Sequence, residues 1–443
     1  MNSLIFTKKQ IDMRKLFLSN ILCILCCSCN VSFWTLVKYS PEVVKEIDYG
    51  LKEIKMQKKE KTTYYYDKKF PFVFEKESIF IPCKINDTTH LVFYNTDGSK
   101  FNINFVEHIS GNAEFPKTHK TIRGRTGTKG VTEKKGLNYY TIESDFFNFT
   151  QYVGRLISVS NDSLIPKCMS ENSKNRFHIG TDAFPKWEDV MCLSFSDTSI
   201  MLLDSLGQYD TTGFTVVQSD FKCVGLAVNL MVDSIEYEFF FCTDNKDFLT
   251  IPLYDINYKK SDKWNYIYAN PLYEKHKKES DVPINYIKQD GANNPIIDTS
   301  IVQQTNTLTF DNLDFIGGTI YYQKTQRPIM GMAFISQFDW IIDYYRGKIY
   351  AKKITDTQYD TIIRTNLHRV DVLNHTLQIT LLPVGETEYQ LFSIIDSVNG
   401  EKINAENICQ MKYLLNKENG FKNNQIVVLP PPAKEIILKT NKK

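Results

Sequence analysis

Two patterns of apolar and polar residues divide the chain. Between residues 41 and 62, apolar residues recur at helical spacing among charged ones, which predicts one helix followed by a Lys-rich spacer. From Phe70 onward, apolar and polar residues alternate in short runs that Gly, Asn and Asp interrupt. Because successive side chains of a strand point to opposite faces of a sheet, this pattern predicts a mainly β body.

Composition supports a folded body and narrows its function. Of the 443 residues, 42% are hydrophobic and 13% are aromatic, which is enough apolar surface for globular domains. Lys and Arg number 53 against 51 Asp and Glu, so the chain has no strong positive field and no nucleic-acid partner is predicted. The six cysteines after residue 29 form no Cys-x-x-Cys pair, and no His lies at ligand spacing. Neither a metal site nor a cofactor is therefore predicted, and the disulfide pairing stays open.

The N-terminal region carries one strongly apolar segment, residues 16–29, directly after the basic residues Arg14 and Lys15. This segment is shorter than the roughly 20 residues that a membrane-spanning helix needs, so it predicts a signal peptide. Its end resembles a relaxed lipobox with Cys29 as the lipidated residue, although Cys26 stands where an aliphatic residue is usual. We expect an exported bacterial lipoprotein, periplasmic or associated with the outer membrane, that is anchored to the membrane by its N-terminal lipid. A plain signal peptide is the alternative.

The β body contains an internal repeat. Residues 79–94 form two apolar runs around a polar turn and lead into Asn-Thr-Asp-Gly, and residues 226–241 repeat this order and lead into Cys-Thr-Asp-Asn. Each copy later reaches an apolar stretch that ends in glycine, Gly180 in the first and Gly331 in the second. The distance from loop to glycine is 85 residues in one copy and 89 in the other. This nearly equal spacing predicts two similar lobes.

These units resemble the lobes of bacterial pepsin-like and retropepsin-like aspartic peptidases. In that family each lobe has a hairpin ending in Asp-Thr-Gly and a later apolar strand ending in glycine, followed by a short helix. The resemblance covers residues 79–353, and residues 329–331 are its most specific part. The loop at residues 124–130 lies where the family has its substrate-covering hairpin. The resemblance implies a bilobal β fold with an interlobe cleft for an extended peptide.

The catalytic positions depart from that family in both copies. When the family's threonine is placed on Thr96 and Thr243, its two catalytic aspartates fall on Asn95 and Cys242. The aspartic mechanism needs two carboxyl groups that share one proton, which an amide and a thiol cannot provide. The resemblance implies that the two threonines bond across the lobe junction. Because the threonines are present and the catalytic aspartates are absent, we predict a degenerate enzyme that retains the junction between its lobes.

Asp97 and Asp244 offer an alternative pair of carboxyl groups. Both lie two residues after the family position, and a shift of two residues keeps a side chain on the same face of a strand. Such a displaced dyad predicts an active aspartic endopeptidase. Each of these residues also precedes a residue that is common in turns, Gly98 or Asn245, so we favour two turn aspartates.

The C-terminal region begins a new unit near Val370. Residues 393–403 resemble a signature of PDZ domains, and residues 404–415 predict the helix that follows it. The glycine-rich loop with which that family binds a carboxylate does not precede residue 377. The resemblance therefore implies the fold and leaves recognition of a free C-terminus open.

Together these features predict a mainly β chain with the bilobal aspartic-peptidase fold, built from two tandem β lobes and followed by a small PDZ-like β+α domain. The predicted boundaries are 1–29 for the signal peptide and lipobox, 30–75 for a helix and spacer, 76–205 and 206–354 for the two lobes, and 366–443 for the PDZ-like domain. The predicted function is binding of an extended peptide or protein in the interlobe cleft without cleavage. An active peptidase and a purely structural surface lipoprotein are the alternatives.

Overall fold

A computed structural model describes residues 51–75, 78–96, 101–106, 122–124, 133–159, 176–180, 189–217, 219–222, 225–245, 247–256, 266–269, 277–289, 295–304, 308–310, 313–315, 319–323, 327–354, 367–373, 376–417 and 419–431. Most of these residues lie in strands, so the prediction of a mainly β protein is confirmed. Within these ranges, none of the helices has the length and apolar character that crossing a membrane requires.

The first β segment is a set of strands in which β10 lies between β5 and β6. Up to residue 203 the described strands are β1 (Lys61–Tyr64), β2 (Phe70–Pro71), β3 (Val73–Glu75), β4 (Ser78–Ile85), β5 (Thr88–Asn95), β6 (Phe101–Val106), β7 (Ile122–Gly124), β8 (Glu133–Glu143), β9 (Phe147–Val159), β10 (Arg176–Gly180), β11 (Val190–Ser194) and β12 (Ser199–Leu203). β4 and β5 form a hairpin, and β10 is parallel to β5 and antiparallel to β6. β9 is parallel to β6 and antiparallel to β8.

The second β segment repeats this pairing. Its described strands are β13 (Thr215–Val217), β14 (Ser219–Lys222), β15 (Gly225–Val232), β16 (Ile235–Phe241), β17 (Leu249–Pro252), β18 (Tyr254–Ile256), β19 (Tyr266–Ala269), β20 (Val282–Gln289), β21 (Pro295–Gln304), β22 (Leu308–Phe310), β23 (Leu313–Phe315), β24 (Thr319–Gln323), β25 (Ile329–Met330), β26 (Phe338–Asp343) and β27 (Lys348–Lys353). β15 and β16 form a hairpin, and β25 is parallel to β16 and antiparallel to β17. β24 is parallel to β17 and antiparallel to β21, as β9 is to β6 and β8.

One sheet joins the two segments. Its described strands follow the order β13-β27-β26-β11-β12-β2, so β11 of the first segment pairs with β26 of the second. Leu193 lies opposite Trp340 in this pairing, and both side chains are buried in an apolar cluster to which both segments contribute. A helix of one turn, α1 (Met332–Ile335), follows β25, and the indole N–H of Trp340 donates to the carbonyl of Ile335 at 2.8 Å.

The short strands β1, β2 and β3 precede residue 76, where the first lobe is predicted to begin. Residues 51–57 are helical, as expected. β1 lies in the predicted spacer and pairs with β9, whereas β2 begins at Phe70, where the alternating pattern starts, and pairs with β12. Phe70 is 5% and Phe72 is 4% exposed, so these rings hold the supposed spacer against the core. A strand as short as β1 shows too little alternation to be recognised, and its partner lies far along the chain.

The C-terminal module, defined as described residues 367–431, has an apolar core of its own. It contains β28 (Arg369–Leu373), β29 (Thr376–Pro383), β30 (Ile394–Val398), β31 (Glu401–Lys402), α2 (Ile408–Asn416), α3 (Gly420–Asn423) and β32 (Ile426–Leu429). Asn399 and Gly400 connect β30 to β31 with φ angles of 52° and 78°. Two successive positive φ angles are the type I′ geometry that Asn-Gly favours in a two-residue hairpin turn.

Candidate functional site

The two Thr-Asp loops of the repeat meet at a buried junction. The N–H of Thr96 donates to Thr243 Oγ1 at 2.9 Å, and the N–H of Thr243 donates to Thr96 Oγ1 at 3.0 Å. Each hydroxyl also donates to a carbonyl of the other loop, Thr96 to Phe241 and Thr243 to Tyr94, both at 2.8 Å. Phe241 and Tyr94 each lie two residues before their own threonine. The four bonds are therefore reciprocal, and exchanging the two loops reproduces the same pattern.

Burial makes these hydrogen bonds important for stability. Thr96 is 4% exposed and Thr243 is 1% exposed. A buried hydrogen bond contributes about 0.5–1.5 kcal/mol, whereas leaving one of its groups unpaired costs about 1–3 kcal/mol. Burial also raises the pKa of Tyr94 well above its ordinary value, so its phenol stays neutral. The four bonds between the two loops join hydroxyl groups to backbone N–H and carbonyl groups, all of which are neutral.

A parallel pair of strands positions the residue in front of each threonine. Asn95 ends β5 and lies opposite Gly180 at the end of β10. Phe241 ends β16 opposite Met330 of β25, and the N–H of the next residue, Cys242, donates to the Met330 carbonyl at 3.0 Å. Asn95 and Cys242 therefore occupy matching positions in the two loops.

The second loop folds back over Gly331. Its Asn245 carbonyl accepts the N–H of Met332 at 2.7 Å, and its Phe248 carbonyl accepts the N–H of Gly331 at 3.1 Å. Asn245 Oδ1 also accepts the N–H of Asp247 at 2.7 Å. These bonds fix the loop to the beginning of α1.

The side chains at the two positions before the threonines are an amide and a thiol. Asn95 is half-buried, and Cys242 is 7% exposed and is not in a disulfide. An amide does not exchange protons as a carboxyl does, and a thiol with an ordinary pKa of about 8.5 is far less acidic than a carboxylic acid. These two side chains can take part in hydrogen bonds, but they cannot share one proton as paired carboxyl groups do.

The structure places only one of the two displaced candidates. Asp244 is exposed, and Asp97 lies outside the described residues. Among the described junction residues, 94–96 and 241–245, Asp244 carries the only carboxyl group. A carboxyl pair is therefore not part of the junction as far as it is described.

Of the other residues that the sequence singles out, some lie within the described ranges and others lie outside them. Cys29 lies outside the described residues. Gly124 ends β7, which pairs with β8, while residues 125–132 between these strands also lie outside them. β20 and β21 form the corresponding hairpin of the second segment, because β21 pairs with β24 as β8 pairs with β9.

We considered two other kinds of candidate site, a metal site and a cavity. In the part of the chain that the structure describes, no group of three or more His, Cys, Asp or Glu side chains lies together so that it could hold a metal ion. An open cavity of about 870 Å³ is present, but its lining residues belong to other parts of the first segment and include Tyr65, Tyr66, Lys84 and Glu143. The threonine junction therefore remains the candidate functional site.

Sequence reasoning missed a contact between the second loop and the C-terminal module. Arg369 Nη1 lies 3.0 Å from Asp247 Oδ1, and Arg369 Nη2 donates to the hydroxyl of Tyr321. Burial by itself lowers the pKa of Arg369, but Tyr321 and Asp247 raise it overall, so the guanidinium stays charged. Arg369 and Asp247 are 122 positions apart, and no local pattern in the sequence connects them.

Known proteins give little guidance for this chain. No family profile matches it, and no curated protein matches it. Among solved structures, a retropepsin-like aspartic protease from Rickettsia conorii is similar at a TM-score of 0.21 and 10% sequence identity, over 31% of this chain and 90% of that chain. What the junction does therefore has to be inferred from its own hydrogen bonds and packing.

Proposed function

We propose that this chain is a catalytically degenerate protein of the aspartic-peptidase type, which binds an extended peptide or protein segment between two lobes without cleaving it. One observation carries the proposal: Thr96 and Thr243 bond reciprocally, with Asn95 and Cys242 directly before them. In the family that the sequence resembles, the residues before these threonines are the catalytic carboxyl groups. Here the junction is built and those carboxyl groups are replaced.

The polar junction itself supports a role that depends on loop position. A buried interface with no function beyond cohesion can use apolar groups, because each buried hydrogen bond contributes only about 1 kcal/mol. The four directional bonds at Thr96 and Thr243 instead set the distance and orientation of the two loops. A fixed separation is what a cleft between two lobes needs in order to receive a peptide of constant width.

The residues before the threonines suit a bound peptide. An extended peptide presents alternating N–H and C=O groups, which an amide side chain can bond as both acceptor and donor. Asn95 is half-buried and so retains partial access. Cys242 is 7% exposed and acts mainly as a small apolar wall.

The proposal extends to the other parts of the chain. The two segments are the lobes of a bilobal fold, and their matching strand pairing supports this. The C-terminal module is a PDZ-like domain, which the Asn399-Gly400 turn within the signature supports. The mature chain begins at a lipidated Cys29 on an exported, periplasmic or outer-membrane-associated bacterial protein, as the basic, apolar and small-residue order of the N-terminus suggests.

A peptide-retention experiment tests the binding proposal. The immobilised chain, residues 29–443, is exposed to a random peptide library at acidic and at neutral pH, and retained and released peptides are read by mass spectrometry. We expect intact peptides to be retained, and Asn95→Ala to weaken their binding about tenfold, as the loss of a good hydrogen bond would. Gln57→Ala removes an amide from the helical residues 51–57 and serves as the control.

Two outcomes would contradict the proposal. Peptides cut by the parent chain but intact with Asp97→Asn and Asp244→Asn would establish an active peptidase with a displaced dyad. A chain that retains no peptide at either pH would favour the purely structural role.

A further inference from the structure

The C-terminal module continues the sheet of the second segment. Its β29 is antiparallel to β20, with Ile284 opposite Pro383 and Tyr286 opposite Leu381. The N–H of Val384 extends this pairing by donating to the Pro283 carbonyl at 2.8 Å. β29 thus covers the outer edge of the β20–β21 hairpin, an edge that otherwise presents unpaired backbone groups.

This contact has a small apolar core of its own. Ile284, Val302 and Tyr321 from the second segment and Leu381 from the module form one buried cluster, and each is at most 5% exposed. Leu367 of the module packs against the same cluster. Main-chain bonds and apolar burial therefore hold the module and the hairpin together at the same place.

A partly buried ion pair extends the contact to the second Thr-Asp loop. Arg369 reaches Asp247 at 3.0 Å, and their side chains are 19% and 16% exposed. The Arg369 guanidinium also lies 4.8 Å from the ring centroid of Tyr321 and donates to the Tyr321 hydroxyl. The guanidinium thus bonds two different groups through Nη1 and Nη2, which fixes its direction as well as its distance, while Arg369 Nε is buried without a hydrogen-bond partner. The module therefore touches the loop that carries Cys242.

Side chains of α2 in the module form hydrogen bonds with β28, across the groove between the two elements. Asn416 of α2 bonds both backbone groups of Val370 in β28, accepting its N–H at 2.9 Å and donating to its carbonyl at 2.9 Å. Lys412 of α2 also bonds Asp371 at 2.6 Å. At Val370 the strand edge is thus already occupied, so an added peptide strand would have to displace Asn416.

We propose that the C-terminal module braces the second Thr-Asp loop and that Arg369 is a positioning residue for the cleft. Arg369 holds the side chain of Asp247, while the backbone around Asp247 is tied to the beginning of α1. The loop is therefore fixed by two contacts besides the threonine junction. The role in peptide binding rests on the proposed function, whereas the bracing of the loop is a property of the free protein.

Amide hydrogen exchange on residues 29–443 tests the bracing. Arg369→Gln and Asp247→Asn should each raise exchange in residues 243–248 about tenfold, because the local opening free energy falls, and leave α2 unchanged. The double variant should show no more exchange than the worse single variant, since both changes remove one pair. Lys402→Gln is the control, because its pair with Asp396 spans 3.9 Å and the lysine is 80% exposed.

The pattern of exchange decides between bracing and simple folding of the module. Faster exchange in α2 as well as in the loop would show that Arg369 only stabilises the module, and unchanged exchange in the loop would overturn the proposal outright. Arg369→Lys keeps the charge but loses the two-pronged geometry, so we expect an intermediate rate in the loop.

A binding measurement separates this inference from the proposed function. With one peptide selected from the library, Arg369→Gln should raise the dissociation constant about tenfold and Lys402→Gln should leave it unchanged. Equal affinity in parent and Arg369→Gln would overturn the positioning role. If the parent binds no peptide, the proposed function fails, and the exchange experiment still decides whether the module braces the loop.

Discussion

The carbonyl oxygen of Asp247 lies 2.0 Å from the point where a β-carbon on Gly331 would stand. The carbonyl oxygen and Oδ1 of Asn245 would lie 2.8 and 2.9 Å from the same point. Gly331 has a φ of −100°, which any residue adopts, so glycine is required here for space and not for backbone freedom. The loop that carries Cys242 is packed directly against this glycine.

Replacing Gly331 should therefore destabilise the protein. Gly331→Ala forces the 243–248 backbone away from α1, and we expect a loss of at least about 2 kcal/mol, at the upper end of overpacking effects. Gly207→Ala is the matched control, because its nearest neighbour is Ser205 Oγ at 3.9 Å and its stability change should stay within about 0.5 kcal/mol. Urea unfolding midpoints of the two variants give the comparison, and equal midpoints would contradict the packing argument.

The hydrogen bonds of the threonine junction predict that Thr→Val destabilises the protein more than Thr→Ser does. Thr96→Val keeps the shape but leaves the Thr243 N–H and the Phe241 carbonyl without their partner, so we expect a loss of about 2–5 kcal/mol. Thr96→Ser keeps the hydroxyl and loses one methyl group, which costs about 1 kcal/mol. The same order should hold at Thr243. Denaturant unfolding of the four variants measures it, and a Val variant as stable as its Ser counterpart would show that the hydroxyls contribute nothing.

The sequence predicted the two hairpins of the repeat. Residues 79–94 and 226–241, each with two apolar runs around a polar turn, form the hairpins β4–β5 and β15–β16. Strands of this kind bury one or both faces, so apolar residues at the buried positions reveal them in the sequence. β1 was missed because it is short and its partner, β9, is distant in the sequence.

The contacts between distant parts of the chain could not be predicted in the same way. Thr96 and Thr243 were paired through a family resemblance, since nothing in either loop specifies a partner 147 positions away. Arg369 and Asp247 had no such resemblance to connect them, and each alone reads as an ordinary surface charge. An ion pair between distant segments is a property of the packed structure, and charge patterning along one segment does not reveal it.

Anchoring by lipid depends on one residue, Cys29. If this cysteine is the lipidated residue, Cys29→Ala should abolish labelling by palmitate and move the protein from the membrane fraction to the soluble fraction, or leave it unprocessed. Membrane fractionation of a host that expresses the full chain measures both effects. Cys26→Ala is the control, because it restores an apolar residue three positions before Cys29 and should leave labelling in place. Unchanged labelling and fractionation in Cys29→Ala would remove the lipoprotein prediction.

The amide of Asn95 and the thiol of Cys242 before the two threonines predict the absence of aspartic-peptidase chemistry. A water molecule is activated in that mechanism by one carboxylate while a second, protonated carboxyl donates to the scissile carbonyl, and Asn95 and Cys242 supply neither group. We therefore expect no pepstatin-sensitive cleavage of a peptide library at acidic or neutral pH. Asp97→Asn and Asp244→Asn provide the decisive comparison, because each removes one carboxyl of the displaced pair and keeps the size of the side chain. Cleavage by the parent that disappears in both variants would show that the displaced pair is catalytic, whereas cleavage that persists in both would point to a contaminating peptidase.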